Sequence, residues 1–484
     1  MVKATLRSAV LLGILLWSVP SFAEVQNVKV GGDTTVRSFF RHNMDLSQGD
    51  SAVDPNSGAF TSKDEFLMQT TGINVSADLT ENVSAHVRIA NERDWDSSVT
   101  GNANDVDLSQ AYITLKELFY SPLTLRVGVQ PITWGRGFVL GSSLVPGTLA
   151  RGGDQNASIT ANEFTDFTAF DAIRGTLDLS GVASLGIPLT IDGVYIKLDE
   201  NNIGNNDDIN LLGFNLGTKF DQWGSEAEAY YLLKRDTQKE AGTDNNGQLS
   251  TWGLRGSSKP AESSNVWAEL AYQHGMRTTD PAGARVQGER VSAWAANLGG
   301  QYALADVAMK PGLGLEWIFW SGKNKSAGCD TAYGSAPNCG AQSGWDPIAR
   351  GYFTTAIREF QTQDSVTGFY PVAQSGATSA ATNQHQFAIF ADLDPIQDLH
   401  VNSRLTWFVA AVPMLTRATT DGFVNTRTDR HSFIGTVWDT VLSYNYTDDV
   451  QFGVIHALFE PGNVFRTPNN DAAQELITWA KVTF

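Results

Sequence analysis

The sequence predicts an all-β fold, a transmembrane antiparallel β-barrel of about eighteen strands with short periplasmic turns and long extracellular loops. Three observations predict it. Segments of alternating polar and apolar residues recur along the chain, the connections between them alternate between short and long, and the last segment is apolar up to its final residue. The composition agrees, because 13 Trp, 12 Tyr, 25 Phe and 45 Gly occur without helical periodicity. No Pro/Ser-rich linker divides the chain, so we expect a single domain.

The alternating segments give eighteen strands, each with about the 9–11 residues that a tilted strand needs to cross a bilayer. The predicted strands are residues 28–41, 65–80, 83–95, 105–118, 123–131, 166–180, 187–199, 209–220, 224–235, 247–258, 263–275, 290–304, 310–321, 384–394, 399–411, 432–446, 450–459 and 473–484. The alternation is weaker in the second, seventh and fourteenth of these strands. This irregularity predicts β-bulges there.

The connections are short after even-numbered strands and longer after odd-numbered ones. Short examples are residues 80–82, 119–122, 221–223 and 447–449, and long examples are 42–64, 132–165, 322–383 and 412–431. A soluble sandwich has no reason to alternate its connections in this way. An outer-membrane barrel does, because its periplasmic turns are tight and its external loops are long. We therefore expect both ends of the barrel chain to lie in the periplasm.

Individual strands have one apolar face and one polar face. In residues 312–320, Leu313 and Leu315 lie on the apolar face and Glu316 lies on the polar face. Arg88 likewise lies on the polar face of its own strand, residues 83–95. Long charged side chains occupy the polar face of many strands. A soluble barrel would pack its apolar face inside and hold all of these charges on its outer surface, and there are too many of them for that. The pattern therefore predicts an apolar face toward lipid and a wet lumen.

The first 23 residues are typical of a secretory signal peptide. Lys3 and Arg7 precede the short apolar run 9–19, and a small-x-small cleavage site ends at Ala23. The run is too short for a membrane helix, which needs about 20 apolar residues. We therefore expect residues 24–484 to form one exported outer-membrane barrel, with a long loop at about 322–383 that constricts the channel.

The last strand ends on an aromatic residue. Leu476, Ala480, Val482 and Phe484 share one face of the predicted strand. A C-terminal aromatic residue with this spacing resembles the signal that the outer-membrane barrel assembly machinery reads. We therefore expect that machinery as a partner.

Charge and cysteine content limit the possible partners. The formal net charge is −18, which should repel nucleic acid rather than bind it. The two cysteines, Cys329 and Cys339, lie nine residues apart in a Gly/Ala/Asn-rich segment without a nearby His. In an exported protein this pattern predicts one disulfide in an external loop rather than a metal site.

Two stretches resemble the alginate export family of outer-membrane channels. The first is "LTLRVGVQPITWGRGFVLG", which starts at residue 123, followed by "FDAIRGTLDL" at 170–179. The second is "IGTVWDTVLSYNYTDDVQFGVIHALFEPGNVF" at 434–465. The residues that fit the family pattern are Gln130, Gly135, Phe170, Asp171, Ala172, Arg174, Gly435, Asp439, Tyr444, Pro461 and Gly462. The departures from it are Val129 for Arg, Arg136 for Asp, and Val437 for a frequent acid. The resemblance implies a passive channel for a uronate-type polysaccharide or a related anionic sugar.

The candidate solute path is taken from the wet faces and from these motifs. The residues expected to line it are Arg88, Arg126, Gln130, Arg136, Arg174, Arg255, Arg404, Glu226, Glu269, Glu316 and Asp439. Two arrangements remain open. Either the arginines of the third, fifth and sixth strands face the glutamates of the ninth, eleventh and thirteenth across the pore, or charges are neutralised locally. Local neutralisation would pair Arg88 with Glu92 and Arg404 with Asp439.

Two other classes of function remain as alternatives. One is an outer-membrane hydrolase with an active site at the barrel rim, and the other is a structural barrel plugged by residues 322–383. The sequence contains no Gly-x-Ser-x-Gly, His-Glu-x-x-His or phosphate-loop motif. We therefore expect no enzyme activity, no cofactor and no metal. The expected partners are outer-membrane lipid, lipopolysaccharide, the assembly machinery and an anionic sugar.

Overall fold

The computed structural model describes most of the strand-forming chain and part of the connections. The described residues are 26–44, 46, 63–95, 106–120, 122–142, 161, 164–181, 186–199, 208–236, 239–240, 243–244, 247–279, 286–304, 306–322, 344–349, 351–352, 354–357, 382–415, 430–465 and 471–484. The predicted signal peptide (residues 1–23) lies outside the described residues, as do Cys329 and Cys339.

The chain forms an 18-stranded antiparallel sheet that closes on itself. Its strands are β1 (Gln26–His42), β2 (Lys63–Thr80), β3 (Val83–Asp94), β4 (Asp107–Leu115), β5 (Leu123–Gln130), β6 (Phe170–Asp178), β7 (Leu189–Asp199), β8 (Ile209–Phe220), β9 (Ser225–Asp236), β12 (Gly247–Ser258), β13 (Ser264–Thr279), β14 (Val286–Ala303), β15 (Gly312–Trp320), β16 (Gln384–Ile396), β17 (Leu399–Leu415), β18 (Arg430–Asn445), β19 (Val450–Pro461) and β20 (Ala473–Thr483). The short strands β10 (Lys239–Glu240) and β11 (Thr243–Asp244) form a separate hairpin. Each of the eighteen predicted strands is present, so the predicted fold class is confirmed.

The barrel closes where β1 pairs with β2 on one side and with β20 on the other. At the end of this seam the N–H of Gly32 donates to the carbonyl of Phe484 at 2.8 Å, and the N–H of Phe484 donates back at 2.9 Å. A Cβ atom at Gly32 would lie 2.8 Å from the Phe484 ring. Glycine at this position therefore lets the terminal ring pack against β1. Phe484 remains 65% exposed on the outer surface.

The two faces of the strands have the predicted orientation. Leu313 and Leu315 on β15 are 56% and 64% exposed, whereas Glu316 is only 4% exposed. The same contrast recurs around the barrel, since alternate side chains of a strand point to opposite faces. The outer surface is consequently mostly apolar, and long charged side chains such as Glu316 point inward.

The predicted bulges are also found. The registers shift between Asp78 and Thr80 in β2, between residues 197 and 199 in β7, and between residues 393 and 396 in β16, the fourteenth barrel strand. Further shifts occur in other strands, for example at the start of β1. Extra residues at these places account for the weaker alternation of the sequence.

Short and long connections lie at opposite ends of the barrel. At the short-turn end, residues 81–82 join β2 to β3 and residues 397–398 join β16 to β17. At the long-loop end, residues 131–169 join β5 to β6 and residues 321–383 join β15 to β16. No helix in the described part of the chain is both long and apolar enough to cross a membrane.

One strand begins later than predicted. β6 starts at Phe170 rather than at residue 166, because the preceding residues fold inward against the barrel wall. Asp166 accepts two hydrogen bonds from Arg88 of β3, at 2.8 and 2.9 Å. The ion pair with a lumen arginine therefore replaces strand pairing for this segment.

Candidate functional site

The inward faces of the strands form a belt of charged side chains near the short-turn end. Most of the predicted path residues lie within six residues of that end of their strands. They are Arg88, Arg126, Arg174, Arg255, Arg404, Glu226, Glu269, Glu316 and Asp439. The two remaining predicted residues lie elsewhere: Gln130 is the last residue of β5, and Arg136 follows it.

Gln130 links two strands of the wall. Its side chain is fully buried, and its Nε2 donates to the carbonyl of Ala172 on β6 at 3.0 Å. The same nitrogen also donates to backbone carbonyls of β5. Because this side chain is engaged with the backbone, Gln130 stabilises the β5–β6 hairpin beside the lumen.

Residues 131–142, the first inner segment, cross the inside of the barrel. Nε1 of Trp134 donates to Asp192 on β7 at 2.8 Å, and the N–H of Gly135 donates to Glu228 on β9 at 3.0 Å. Gly135 has φ +58°, and a Cβ atom there would lie 2.9 Å from Arg255 and 3.0 Å from Glu269. Both the backbone angle and the close approach to the wall therefore require glycine.

The second inner segment comprises residues 344–349, 351–352 and 354–357 of the long connection between β15 and β16. The backbone carbonyl of Asp346 accepts from, and its backbone N–H donates to, the side chain of Gln273 on β13, which is buried and points inward. The N–H of Gly141 donates to the carbonyl of Ala349 at 2.8 Å, and the N–H of Gly351 donates to the carbonyl of Gly137 at 2.8 Å. The two inner segments are thus bonded to each other inside the barrel.

Glu316 of β15 accepts hydrogen bonds both from the second inner segment and from neighbouring strands of the wall. Its carboxylate accepts hydrogen bonds from Nη2 of Arg404, from the hydroxyl of Tyr352 at 2.8 Å and from Asn297 at 3.1 Å. Burial, together with the negative charge of Glu316, raises the pKa of Tyr352 well above its ordinary value. The hydroxyl therefore stays protonated and remains a donor to the carboxylate.

Arg136 of the first inner segment reaches the same cluster. Its Nη2 donates to the hydroxyl of Tyr352 at 3.0 Å, and its guanidinium lies 4.2 Å from the ring centroid of Trp267 and 4.9 Å from that of Tyr352. No side-chain carboxylate pairs with Arg136 among the described residues. The two rings hold the planar cation between the wall of β13 and the second inner segment.

Arg255 neutralises the acidic residues of β9. Its Nη1 lies 2.5 Å from Glu228 and 3.3 Å from Glu226. Glu269 on the next strand accepts the hydroxyl of Tyr230 at 2.7 Å. The glutamates of this side therefore have donors on neighbouring strands.

Most of the arginines on β3, β5 and β6 have acidic partners as well. Arg88 forms ion pairs with Asp166 and Asp33 rather than with Glu92, and Arg174 pairs with Asp192 at 2.8 Å. Arg126 differs from both. Its guanidinium stacks on the ring of Tyr112 at 4.6 Å and its Nε donates to Thr114 at 3.3 Å, with no carboxylate partner in the described part of the chain.

Apart from Arg126, the arginines of the belt are consequently neutralised by nearby carboxylates, so they do not form a purely basic wall that faces an acidic wall. The partners differ from those that the sequence suggested. Arg404 stands opposite Asp439 in the register, but it donates to Glu316, while Asp439 accepts the N–H of Ala356 at 3.1 Å. Paired charges are favoured here because an unpaired charge in a confined space loses its hydration.

Several residues that shape the site were not predicted. Asp192 lies on the inward face of a predicted strand, and alternation alone could have found it. Trp134, Asp166 and Tyr352 lie in connections, where no periodicity shows which way a side chain points. No group of His, Cys, Asp and Glu suited to hold a metal ion occurs in the described residues.

Comparison with known proteins agrees with this architecture. The alginate export family matches residues 30–478. Among solved structures, the crystal structure of Acinetobacter baumannii OccAB1 has a TM-score of 0.51 at 9% identity, covering 96% of this chain and 99% of that chain. Pseudomonas aeruginosa OccK9 (OpdG) has a TM-score of 0.51 at 13% identity, with the same coverage of 96% and 99%. At these identities the likeness shows the fold alone.

No curated protein matches the chain in a sequence comparison. The family match nevertheless extends over nearly all of the barrel, from β1 to β20. The protein is therefore a bacterial outer-membrane β-barrel channel, and the chain belongs to the alginate export family.

Proposed function

We propose that the lumen passes an anionic polysaccharide or oligosaccharide of the uronate type, or related small anionic solutes, by passive diffusion. The observation that carries this proposal is the state of Arg126. Its guanidinium face lies on Tyr112 and its Nε is engaged, but no described carboxylate occupies its remaining N–H groups. A planar guanidinium can bind a sugar carboxylate bidentately.

The neighbourhood of Arg126 also favours release of the solute. Arg174 stands directly opposite in the register and is already paired with Asp192. A carboxylate in the lumen would therefore meet one open cation, followed by Arg136 at the constriction. Conduction requires sites that bind weakly enough to let the solute leave.

Planar-bilayer recording with uronate oligosaccharides tests this function. We expect discrete conductance steps, block by oligouronate, and weaker block in the Arg126→Gln variant. A neutral oligosaccharide of equal length should block wild type and variant alike. Equal block of the wild type by neutral and anionic sugars would contradict the proposed selectivity.

A second candidate function is a structural barrel closed by its own chain. The bonds between the two inner segments, at Gly141–Ala349 and Gly351–Gly137, favour it. The same recording separates the candidates, because a closed barrel gives no conductance steps. We prefer the channel, and we propose that the connection 322–383 constricts it. Deletion of roughly residues 340–380 should then raise the single-channel conductance.

We further infer that the protein is not an enzyme, since family membership favours transport over catalysis. A rim hydrolase would instead show turnover that disappears on replacement of a single His or Asp. We also propose that a signal peptide (residues 1–23) directs export and that the assembly machinery recognises the strand ending at Phe484. Truncation of Phe484 should reduce the amount of folded barrel in the outer membrane.

A further inference from the structure

The outer surface of β9, β12, β13 and β14 carries a continuous row of aromatic side chains. One register row there consists entirely of aromatic residues: Tyr231, Trp252, Tyr272 and Trp294. Their rings contact in pairs, with centroids 4.5 Å apart for Tyr231 and Trp252 and 4.6 Å apart for Tyr272 and Trp294. By contrast, facing outward residues of β2 and β3 are aliphatic, for example Val75 and Val87.

A groove of about 640 Å³ runs along this aromatic row. Small side chains such as Ala229 lie in it, and exposed leucines such as Leu254 and Leu270 border it. The groove lies on the apolar outer face, so in the membrane it is in contact with hydrocarbon. Its size and lining suit an acyl chain.

A second register row, with an arginine at each end, lies beyond the aromatic row toward the long-loop end. Arg235, Gln248, Met276 and Arg290 are partners in successive registers, four residues along their strands from the rings. Both arginines are exposed, and no described side chain pairs with either of them. His274 lies between the two rows and is exposed as well. Two outward arginines without a partner among the described residues are notable in a chain of net charge −18.

The positions of the two arginines select the chemistry of the ligand. β9 and β14 are separated by three strand spacings, about 14 Å in all. Their distance from the aromatic row along the strand is about 13 Å. A ligand that contacts both rows needs an acyl chain at the aromatic row and two well-separated phosphates at the two arginines. Phosphatidylglycerol and phosphatidylethanolamine each carry one phosphate, whereas a bisphosphorylated disaccharide lipid carries two, one at each end of the disaccharide.

The leaflet also agrees with this ligand. Long loops are external in outer-membrane barrels, so the arginine row lies at the level of the outer leaflet headgroups. We propose that the outward face of β9, β12, β13 and β14 binds one glycolipid of the lipid A class, with an acyl chain in the groove and its phosphates on Arg235 and Arg290. This site lies outside the lumen and does not depend on which solute passes.

Native mass spectrometry of the full barrel with defined lipids tests the proposal. We expect bisphosphorylated lipid A to bind more tightly than monophosphorylated lipid A or phosphatidylglycerol. The double variant R235Q/R290Q should bind bisphosphorylated lipid A about three- to thirtyfold more weakly, the range expected for two exposed ion pairs. Ala229→Trp, which fills the groove without a change of charge, should also weaken binding.

The matched control is K259Q/K310Q, which removes the same charge from two exposed residues at the short-turn end. It should leave lipid A binding unchanged. Heat-dependent gel mobility and unchanged conductance would show that each variant is folded. Equal lipid A binding by R235Q/R290Q and wild type would overturn the proposal, and so would equally tight binding of phosphatidylglycerol.

Discussion

Arg126 and Arg174 stand directly opposite each other in the register of β5 and β6, yet among the described residues only Arg174 has a carboxylate partner. Like charges in facing positions repel, and Asp192 relieves this repulsion on one side only. Arg174 is 26% exposed and its partner Asp192 is 6% exposed. Arg174 therefore holds β6 to β7, and we propose that Arg126 is the arginine that meets an anion.

Substitution by glutamate should distinguish these roles. Arg126→Glu places a carboxylate opposite Arg174, so we expect unchanged thermal stability and a reversal potential shifted toward cations. The shift should be larger at low salt, where screening is weakest. Arg174→Glu instead places a second carboxylate beside Asp192 and should lower the free energy of unfolding by about 1–3 kcal/mol. Reversal potentials in a KCl gradient and thermal unfolding measure the two effects. Unchanged selectivity in Arg126→Glu would show that this arginine does not face the ions.

The first inner segment should depend on glycine at position 135. Alanine there adds about 1–2 kcal/mol of backbone strain at φ +58° and brings its Cβ against Arg255 and Glu269. We expect the segment to move away from the wall and single-channel conductance to change. Gly186→Ala is the matched control, because Gly186 has φ +68° but no atom within 4 Å of the added Cβ. If both variants conduct like the wild type, the first inner segment does not limit the channel.

The strands could be predicted from the sequence, whereas most partners in the lumen could not. Alternation alone places Arg88 and Glu316 on the wet face, because a strand repeats every two residues. The partner of Arg88 is different. Glu92 lies four residues away in sequence, but the ion pair forms with Asp166, 78 residues away. No local pattern encodes that contact, since it depends on how a connection folds inside a closed barrel.

The inner segments illustrate the same limit. Gly135 lies 93 residues from Glu228, to which its N–H donates. The residues around Gly135 match the family pattern, but the pattern does not predict that the chain after β5 crosses the inside of the barrel. Tyr352 lies in a connection without periodicity, so neither its burial nor its contact with Glu316 was predictable. The fold is thus encoded strand by strand, and the lumen is shaped by contacts distant in sequence.

Tyr352 should make stability depend on alkaline pH. Its pKa in the folded protein is raised by burial and by Glu316, so the neutral hydroxyl is favoured in the native state. The corresponding stabilisation is fully present below the ordinary tyrosine pKa of about 10 and is lost as the pH rises above it. Tyr352→Phe removes this dependence and, through loss of the bond to Glu316, about 1–3 kcal/mol of stability at neutral pH. Thermal unfolding of both proteins between neutral and alkaline pH checks this, and identical pH profiles would contradict it.

Cys329 and Cys339 should form a disulfide in an external loop. Both thiols lie in an exported chain, where a cysteine pair oxidises readily. We expect the peptides that contain them to be linked in a non-reducing digest and separated after reduction. A membrane-impermeant reductant added to whole cells should break the link. Two free thiols in protein taken from the outer membrane would refute the pairing.

The orientation of the barrel follows from its two kinds of connection. Tight turns face the periplasm and long loops face the outside in outer-membrane barrels, so β1 should begin, and β20 should end, on the periplasmic side. In a C329S/C339S background, Ser51→Cys and Thr419→Cys test two long connections, and Glu81→Cys and Asp448→Cys test two turns. An impermeant maleimide should label the first pair in intact cells and the second pair only after the outer membrane is opened. Glu81 and Asp448 are both exposed, so protection of these sites cannot come from burial in the protein. Labelling of the turn sites in intact cells would therefore mean that the barrel is inserted the other way round.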